Sequence, residues 1–316
     1  MKVLANDGVS QSGITALEKA GYEVLTTTVA QEQLQNYIND NDISVLLVRS
    51  ATKVRKDIID NCPGLKIIGR GGVGMDNIDV EYAREKGIHV INTPAASSHS
   101  VAELVFGHFY GLARFLHNSN RDMPLEGDKN FKSLKKAYAK GIELKGKTLG
   151  VIGFGRIGQA TAKIGIGAGM KVVAYDPFIE ETNLDLDFYD GQKVSFNIKT
   201  TSKEEVLKNA DFITLHVPAQ KEYVIDEKDF QLMKDGVILA NAARGGVVNE
   251  VALVKAIESG KVARAALDVF EKEPQPEVQL LMNSSLSLTP HTGAATNEAQ
   301  DRIGVELADQ IVSILG

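Results

Sequence analysis

The sequence predicts an α/β protein made of two doubly wound parallel-sheet domains. Three observations carry that prediction. Short apolar runs alternate with amphipathic helical patterns from Lys2 to Asn92, and a second alternation of the same kind starts at Thr148. At the head of the second, a strand, a glycine turn and a helix start follow one another directly in Thr148-Leu149-Gly150-Val151-Ile152-Gly153-Phe154-Gly155-Arg156-Ile157-Gly158. Strands separated by helices form parallel sheets covered on both faces.

In the first alternation, strands are expected at residues 2–5, 23–26, 44–48, 66–69 and 89–92. Helices are expected at 14–20, 32–39, 56–61 and 81–86, and Thr93-Pro94 ends the series. A long helix then spans 100–117 behind a serine-rich turn, with Val101, Leu104, Val105, Leu112, Phe115 and Leu116 at helical spacing. Gly107 and Gly111 share one face of it, which permits close approach of another backbone, either an internal crossing or a subunit contact. Residues 118–146 are lysine-rich and polar and read as an exposed excursion with little core. The second alternation continues at 171–175, ending on Asp176, with later strands at 212–217, 237–241, 265–270 and 286–289. Ser202-Lys203-Glu204-Glu205 reads as a capping box and Asn249 as another helix cap. Residues 178–201 interrupt the pattern with an acidic, aromatic insert, and an amphipathic helix over 297–315 closes the chain.

At 316 residues the chain is long enough for two cores, and its composition, 43% apolar and 24% charged, is ordinary for such a protein. A net charge of −6 without any basic block argues against nucleic acid as a partner, so an anionic substrate needs a local cluster of cations. Cys62 is the only cysteine, which excludes an internal disulfide and fits a reducing compartment. The N-terminus reads as a first strand, too soon acidic for a signal peptide, and no apolar run is long enough to span a bilayer. A cytoplasmic location is expected, with no membrane partner and no metal site.

The glycine turn points to a dinucleotide. Gly153 permits the tight turn, Gly155 lets a pyrophosphate approach the backbone, and Gly158 lets the helix pack on its strand. The helix N-terminus offers N–H groups and a positive dipole end to the phosphates. Asp176, at the end of the next strand, is placed to accept hydrogen bonds from ribose hydroxyls. Its carboxylate repels a 2′-phosphate and Pro177-Phe178-Ile179 supplies no cation, which selects NAD over NADP. A ligand-free turn, or a methyltransferase loop holding an adenosyl group, is the alternative.

Open parallel sheets bind ligands outside the carboxyl ends of their strands. That rule singles out Arg244 after strand 237–241, Glu273 after 265–270 and His291 after 286–289. A histidine can take a hydroxyl proton near neutral pH. A carboxylate beside it fixes the tautomer and favours the imidazolium needed for the reverse reduction, and an arginine fork can hold a substrate carboxylate and polarise the C2 oxygen. Taken singly, Glu273 also reads as a solvated charge, Arg244 as a turn contact and His291 as a structural histidine; their shared edge favours chemistry.

The segments 49–54, 69–77, 151–158, 241–249, 267–274 and 289–296 resemble the D-2-hydroxyacid dehydrogenases across almost the whole chain. Within that family the chain is most similar to the branch that oxidises 3-phosphoglycerate, in its short form without a C-terminal serine-binding regulatory domain. The resemblance implies two Rossmann-like or flavodoxin-like domains with a cleft between them. One is a discontinuous substrate domain, 1–95 with 291–316, and the other an NAD domain, 96–290. It implies Arg244, Glu273 and His291 as the catalytic residues. On the cofactor side it implies Gly153, Gly155, Arg156, Ile157, Gly158, Asp176, His216, Val217, Pro218, Ala242, Ala243, Asp268, Gly293 and Val73. Arg70, Gly71 and Gly72 match the loop whose backbone N–H groups receive the substrate carboxylate. Homodimers through the NAD domains are also implied, which favours the interface reading of Gly107 and Gly111. The chain departs from the family at Asn249, where aspartate is usual, and at 219–222, where the usual threonines are missing. It also has no tryptophan.

The substrate turns on phosphate. Arg49, Lys53 and Arg55 follow a strand of the first domain and Arg70 ends the next, a cluster able to face a dianion or simply a solvated helix start. The resemblance implies Arg49 as a phosphate contact, with basic residues of a partner subunit assisting; Lys135 and Lys136 are the nearest candidates. The expected reaction is NAD-dependent oxidation of 3-phospho-D-glycerate to 3-phosphohydroxypyruvate, a step of serine synthesis. A glyoxylate or hydroxypyruvate reductase with the same machinery is the alternative, and a dinucleotide-sensing scaffold or corepressor is the alternative from another class.

Overall fold

The computed structural model describes residues 1–316. In chain order the first elements are β1 (Lys2–Ala5), α1 (Gln11–Lys19), β2 (Glu23–Leu25), α2 (Leu34–Asp40), β3 (Ile43–Val48), α3 (Lys56–Asn61), β4 (Ile67–Arg70), α4 (Val80–Glu85) and β5 (His89–Asn92). Three helices follow: α5 (Ser98–Ala113), α6 (Leu116–Glu126) and α7 (Phe131–Ala137). Then come β6 (Thr148–Ile152), α8 (Arg156–Gly167), β7 (Lys171–Tyr175), β8 (Glu181–Asp187), β9 (Lys193–Lys199), α9 (Lys203–Asn209), β10 (Phe212–Leu215) and α10 (Glu227–Leu232). The last are β11 (Val237–Asn241), α11 (Glu250–Glu258), β12 (Val262–Leu267), α12 (Val278–Leu281), β13 (Leu286–Leu288) and α13 (Asn297–Leu315). The chain divides into two compact units, Met1–Ser100 with Ala294–Gly316, and Val101–Gly293. His291, expected to open the last segment of the substrate domain, thus falls in the second unit.

The first unit is built on a parallel sheet of order β2-β1-β3-β4-β5. Its central strands are apolar runs buried on both faces, as parallel strands under helices must be. Ile303, Leu307 and Ile311 of α13 pack with Val3, Val45 and Ile67. Thr296 starts that helix by accepting the Ala299 N–H. The crossing of α13 on α1 demands two glycines: a Cβ on Gly13 would lie 2.7 Å from the Gly304 Cα.

The second unit carries a six-stranded parallel sheet of order β13-β12-β11-β10-β6-β7. Phe106, Phe109 and Leu112 of α5 cover one face together with Phe154 and Phe212. Leu207, Phe230 and Leu253 cover the other. α5 stops sooner than its periodicity suggests, because Phe115 adopts φ +57° and lies under the Arg264 guanidinium, 4.1 Å from ring centre to carbon. Residues 118–146 are not simply an excursion: they include most of α6, which buries nothing, and α7, which buries Leu134. No atom stands within 4 Å of a Cβ placed on Gly107 or Gly111, so an internal backbone crossing is not their purpose.

The insert at 178–201 is an antiparallel hairpin, β8 with β9, anchored by Leu184 and partly by Ile198, with Phe188 and Tyr189 exposed at its turn. Ser202 caps α9 through the Glu205 N–H, but the Glu205 carboxylate accepts from Asn209 rather than closing a box. The complete capping box is Asp226 with Asp229 at α10. Asn249 caps α11, accepting the Ala252 N–H.

His216 turns its ring into the fold. Its Nε2 lies 3.1 Å from the hydroxyls of both Thr161 and Thr214, which are fully buried, and its Nδ1 is buried. The imidazole is turned under the glycine loop instead of toward a ligand, and burial drives its pKa down to about 3. The sign of the consequence is fixed. The unfolded chain binds a proton at His216 below about pH 6.5 and the folded chain does not, so stability falls as pH drops from about 6.5 toward the folded value. Denaturant unfolding from pH 8 to 5 is expected to show that acid-side loss, at most about 1.4 kcal/mol per pH unit from this residue. A smaller slope is expected in His216→Asn; an unchanged slope would mean the ring does not stay neutral in the fold.

Candidate active site

The glycine loop lies at the carboxyl end of β6, beside β10, where the order of the sheet reverses. Gly153 has φ +91°, and a Cβ there would sit 2.5 Å from the His216 carbonyl oxygen. A Cβ on Gly158 would collide with the Gly153 carbonyl, so α8 packs on its strand only through glycine. Gly155 differs: nothing lies within 4 Å of its would-be Cβ, and it heads α8 without a side-chain cap. Protein packing does not require that glycine; a phosphate drawn to the N–H groups of the first turn does. Asp176 Oδ2 accepts from the Phe154 N–H at 2.7 Å, and Oδ1 accepts from Phe178 and Ile179 at 2.9 and 3.2 Å. The carboxylate thus ties the loop to β7 while Oδ2 keeps lone-pair capacity for a ribose hydroxyl. Arg156 is exposed at the first turn of α8, Ile157 and Val217 are partly exposed around the loop, and Pro218 is exposed. These residues fit a dinucleotide.

Three further turns leave the same sheet edge. After β11, the buried Asn241 accepts from Ala243 N–H and donates to the Arg244 carbonyl, fixing the Ala242-Ala243 turn. Arg244 Nη1 donates to the Ala243 carbonyl at 2.6 Å. Gly245 must be glycine, since a Cβ would run into the Phe270 carbonyl. After β12, Glu250 and Glu271 accept each other's backbone N–H, at 2.8 and 3.0 Å, which holds the approach to Glu273. After β13 comes His291, at φ +55°, a left-handed conformation uncommon outside glycine. Its N–H donates to the Asp268 carbonyl at 2.8 Å.

The ends of these turns meet. His291 Nδ1 is 2.9 Å from Glu273 Oε2, and Glu273 Oε1 accepts from the Phe270 N–H at 3.0 Å. About a third of each of the two side chains stays exposed (35% and 36%), so solvent reaches the pair. Burial raises the Glu273 pKa, but the His291 hydrogen bond, the Phe270 N–H and the charges of His291 and Arg244 outweigh it and hold the carboxyl below its usual range. Glu273 is therefore ionised at neutral pH. An acceptor-only carboxylate assigns the ring proton to Nδ1, which leaves Nε2 of the neutral ring as the atom that can take a proton.

Asp268 is buried, and its carboxylate accepts from the Thr289 hydroxyl at 2.6 Å, Thr292 N–H at 2.7 Å and Gly293 N–H at 2.9 Å. Sequence reading had placed it only along the nicotinamide; its clamp on residues 291–293 was not foreseen, nor were Asn241 and the Glu250–Glu271 pair. The one signal available was a polar residue closing an otherwise apolar strand. The divergent 219–222 segment contributes to a polar groove of about 630 Å³ with Tyr223, Gly245 and Glu271, a groove that contains none of Arg244, Glu273 and His291.

In the first unit, the sheet order reverses at β1 and β3, and Arg49 stands at the end of β3. Asp7 shapes this end by accepting the N–H groups of Arg49 and Thr52 and the Thr52 hydroxyl. One expectation changes here. Arg55 pairs with Asp79 at 2.9 Å and donates to the Asp76 carbonyl, so it is withdrawn from any phosphate cluster. Gly71 and Gly72 donate their N–H groups to the Val48 and Arg70 carbonyls, both at 2.9 Å, so each already has a partner within the loop. The Arg70 side chain crosses Gly72 where a Cβ would stand, and Asn92 holds the Val73 carbonyl. Lys53 is exposed, with its backbone paired to Gln31. In the second unit, Lys135 and Lys136 are exposed on the last turn of α7.

Residues 106–293 match the model of the D-isomer-specific 2-hydroxyacid dehydrogenase NAD-binding domain. The chain is 44% identical over its whole length to a hydroxypyruvate reductase of Thermotoga maritima, covering 98% of that protein. It is 43% identical to a D-3-phosphoglycerate dehydrogenase of Methanocaldococcus jannaschii, of which it spans 57% of the length. Among solved structures, the Aquifex aeolicus D-lactate dehydrogenase complexed with NAD and lactic acid superposes with a TM-score of 0.75 at 30% identity, over all of this chain and 95% of that one. With the glycine loop and the carboxylate on β7 in place for the nucleotide, the chain belongs to the D-isomer-specific 2-hydroxyacid dehydrogenases, oxidoreductases that use NAD.

Proposed function

We propose that the chain oxidises 3-phospho-D-glycerate to 3-phosphohydroxypyruvate, a reaction of serine synthesis. The observation that carries the C2 chemistry is the His291–Glu273 pair at the sheet edge, within electrostatic reach of Arg244. Bound NAD supplies the hydride acceptor. His291 Nε2 takes the proton of the C2 hydroxyl as the hydride leaves C2, and Glu273 stabilises the imidazolium that results. Arg244 holds the substrate carboxylate and polarises the C2 oxygen, which strengthens the same contact when the ketone is reduced in reverse.

Support for the phosphate comes from Arg49, at the reversal of the first unit's sheet, where doubly wound sheets take their ligands. Support for the second reading, a hydroxypyruvate or glyoxylate reductase, comes from the engagement of Arg55 by Asp79 and from the full-length likeness to the Thermotoga maritima reductase. The two readings share the chemistry at C2 and differ in what binds at C3.

A homodimer formed through the second unit completes the reading. Its support is the open Gly107/Gly111 face of α5, with Tyr110 on that helix and Leu116, Leu125 and Phe131 beyond it all exposed. The buried, reduced Cys62 supports a cytoplasmic location.

His291→Gln is expected to lower kcat about 10²–10⁴-fold while NADH binding, read by its fluorescence, persists. A variant that keeps its rate would remove His291 from the mechanism. Arg49→Ala is expected to raise KM for 3-phospho-D-glycerate roughly 10–100-fold, as loss of a charge-assisted bond does, and to leave hydroxypyruvate within about threefold. Equal effects on both would favour the reductase reading. Light scattering should give a dimer mass, and Gly107→Glu should shift it toward the monomer; a monomeric wild type would end the interface assignment.

A further inference from the structure

A partly buried chain of hydrogen bonds runs from α5 to the turn that carries His291, and the chemistry above does not use its first member. His108 on α5 is 7% exposed, although imidazole is a costly group to bury among the phenylalanines of that helix. Its Nδ1 lies 2.9 Å from Ser287 Oγ and its Nε2 3.2 Å from Thr289 Oγ1. The Thr289 hydroxyl lies 2.6 Å from Asp268 Oδ1.

The direction of each bond follows from the last. The Thr289 hydroxyl donates to Asp268 Oδ1, an oxygen that also accepts the Thr292 N–H. The Thr289 oxygen then accepts, which requires the proton of His108 to be on Nε2. Nδ1 is left bare and accepts from Ser287. Burial lowers the His108 pKa against the pull of the Asp268 charge, in keeping with the neutral ring this pattern needs. In this pattern each bond of the chain has one donor and one acceptor.

At the far end, Asp268 accepts the N–H groups of Thr292 and Gly293, and its carbonyl accepts that of His291. These bonds hold the histidine in its left-handed conformation. Without its hydroxyl aimed by His108, Thr289 is free to rotate away from Asp268, and the carboxylate that fixes the turn loses its shortest hydrogen bond.

We propose that His108 is a positioning residue for His291, acting through Thr289 and Asp268. The inference rests on the reading of His291 as the acid/base, and the catalytic histidine's Nε2 is the atom whose placement it controls. A small displacement there affects the rate far more than the binding of nucleotide by a loop on another strand.

The test compares His108→Leu, His108→Gln, Thr289→Val and Thr289→Ser with wild type, whose turnover of a 2-hydroxy acid is established first. His108→Leu and Thr289→Val are expected to lower kcat about tenfold or more, with the Kd for NADH within about threefold. His108→Gln, whose amide N–H reaches where Nε2 does, and Thr289→Ser, which keeps the hydroxyl, are expected to return to within about threefold of wild type. The double variant His108→Leu/Thr289→Val is expected to be no slower than the worse single variant, because both cut one chain. Full activity in His108→Leu overturns the proposal, as does additive loss in the double variant or loss of kcat and NADH binding in equal measure. If His108→Leu does not fold, the Thr289 pair decides alone: equal rates for valine and serine overturn it. A wild type inactive on every 2-hydroxy acid would instead overturn the reading of the site itself.

Discussion

The carboxylate of Asp268, buried at the exit of β12, is the constraint on which the candidate active site depends. A buried carboxylate is tolerated only when its oxygens are hydrogen-bonded, and here two hydroxyls and two backbone N–H groups do so. Those donors come from the exit of β13 and the turn beyond it, so satisfying the charge and placing His291 are one event. The strained backbone of His291 is what that arrangement tolerates in order to aim the ring at Glu273. Glu273 in turn is aimed by the Phe270 N–H, two residues beyond Asp268 on the same strand exit.

Three histidines of the second unit show how placement sets role. His291 lies at the sheet edge with a carboxylate on Nδ1 and solvent within reach. His108 and His216 are enclosed without a directly bonded carboxylate, and burial lowers the pKa of each. They act as neutral, directional hydrogen-bonding posts, His216 beneath the glycine loop and His108 beneath the turn of the first histidine. One side-chain chemistry thus supplies an acid/base and two struts, and only the environment distinguishes them.

Much of this was legible in the sequence where local rules and tertiary packing agree. The last helix runs over the expected residues because Thr296 caps it and its apolar stripe has one sheet to cover. The glycine loop and the trio at the sheet edge were legible because each glycine and each strand exit has a physical requirement of its own. Where only packing decides, the reading failed. β12 ends at Leu267 and not at 270, since Val269 and Phe270 are apolar for the sake of the turn they fill and not for a ladder. Phe115 breaks α5 with no glycine or proline to announce it, drawn under Arg264 from a distant strand. Arg55 read as a free cation because its partner Asp79 lies beyond an intervening strand. The hairpin at 178–201 alternates with period two, but so few of its side chains are buried that the pattern lacked contrast.

The most direct measurement is NADH formation when the protein is mixed with NAD and 3-phospho-D-glycerate at alkaline pH, which draws the proton-releasing oxidation forward, with D-glycerate and D-lactate run beside it. Steady turnover on the phosphorylated acid, far above the other two, is the result this account predicts. Silence with all three, together with no NADH consumption on hydroxypyruvate or glyoxylate, would contradict a catalytic role for the His291–Glu273 pair. Silence on the phosphorylated acid with rapid consumption on those ketones would retain the pair and contradict the phosphate assignment.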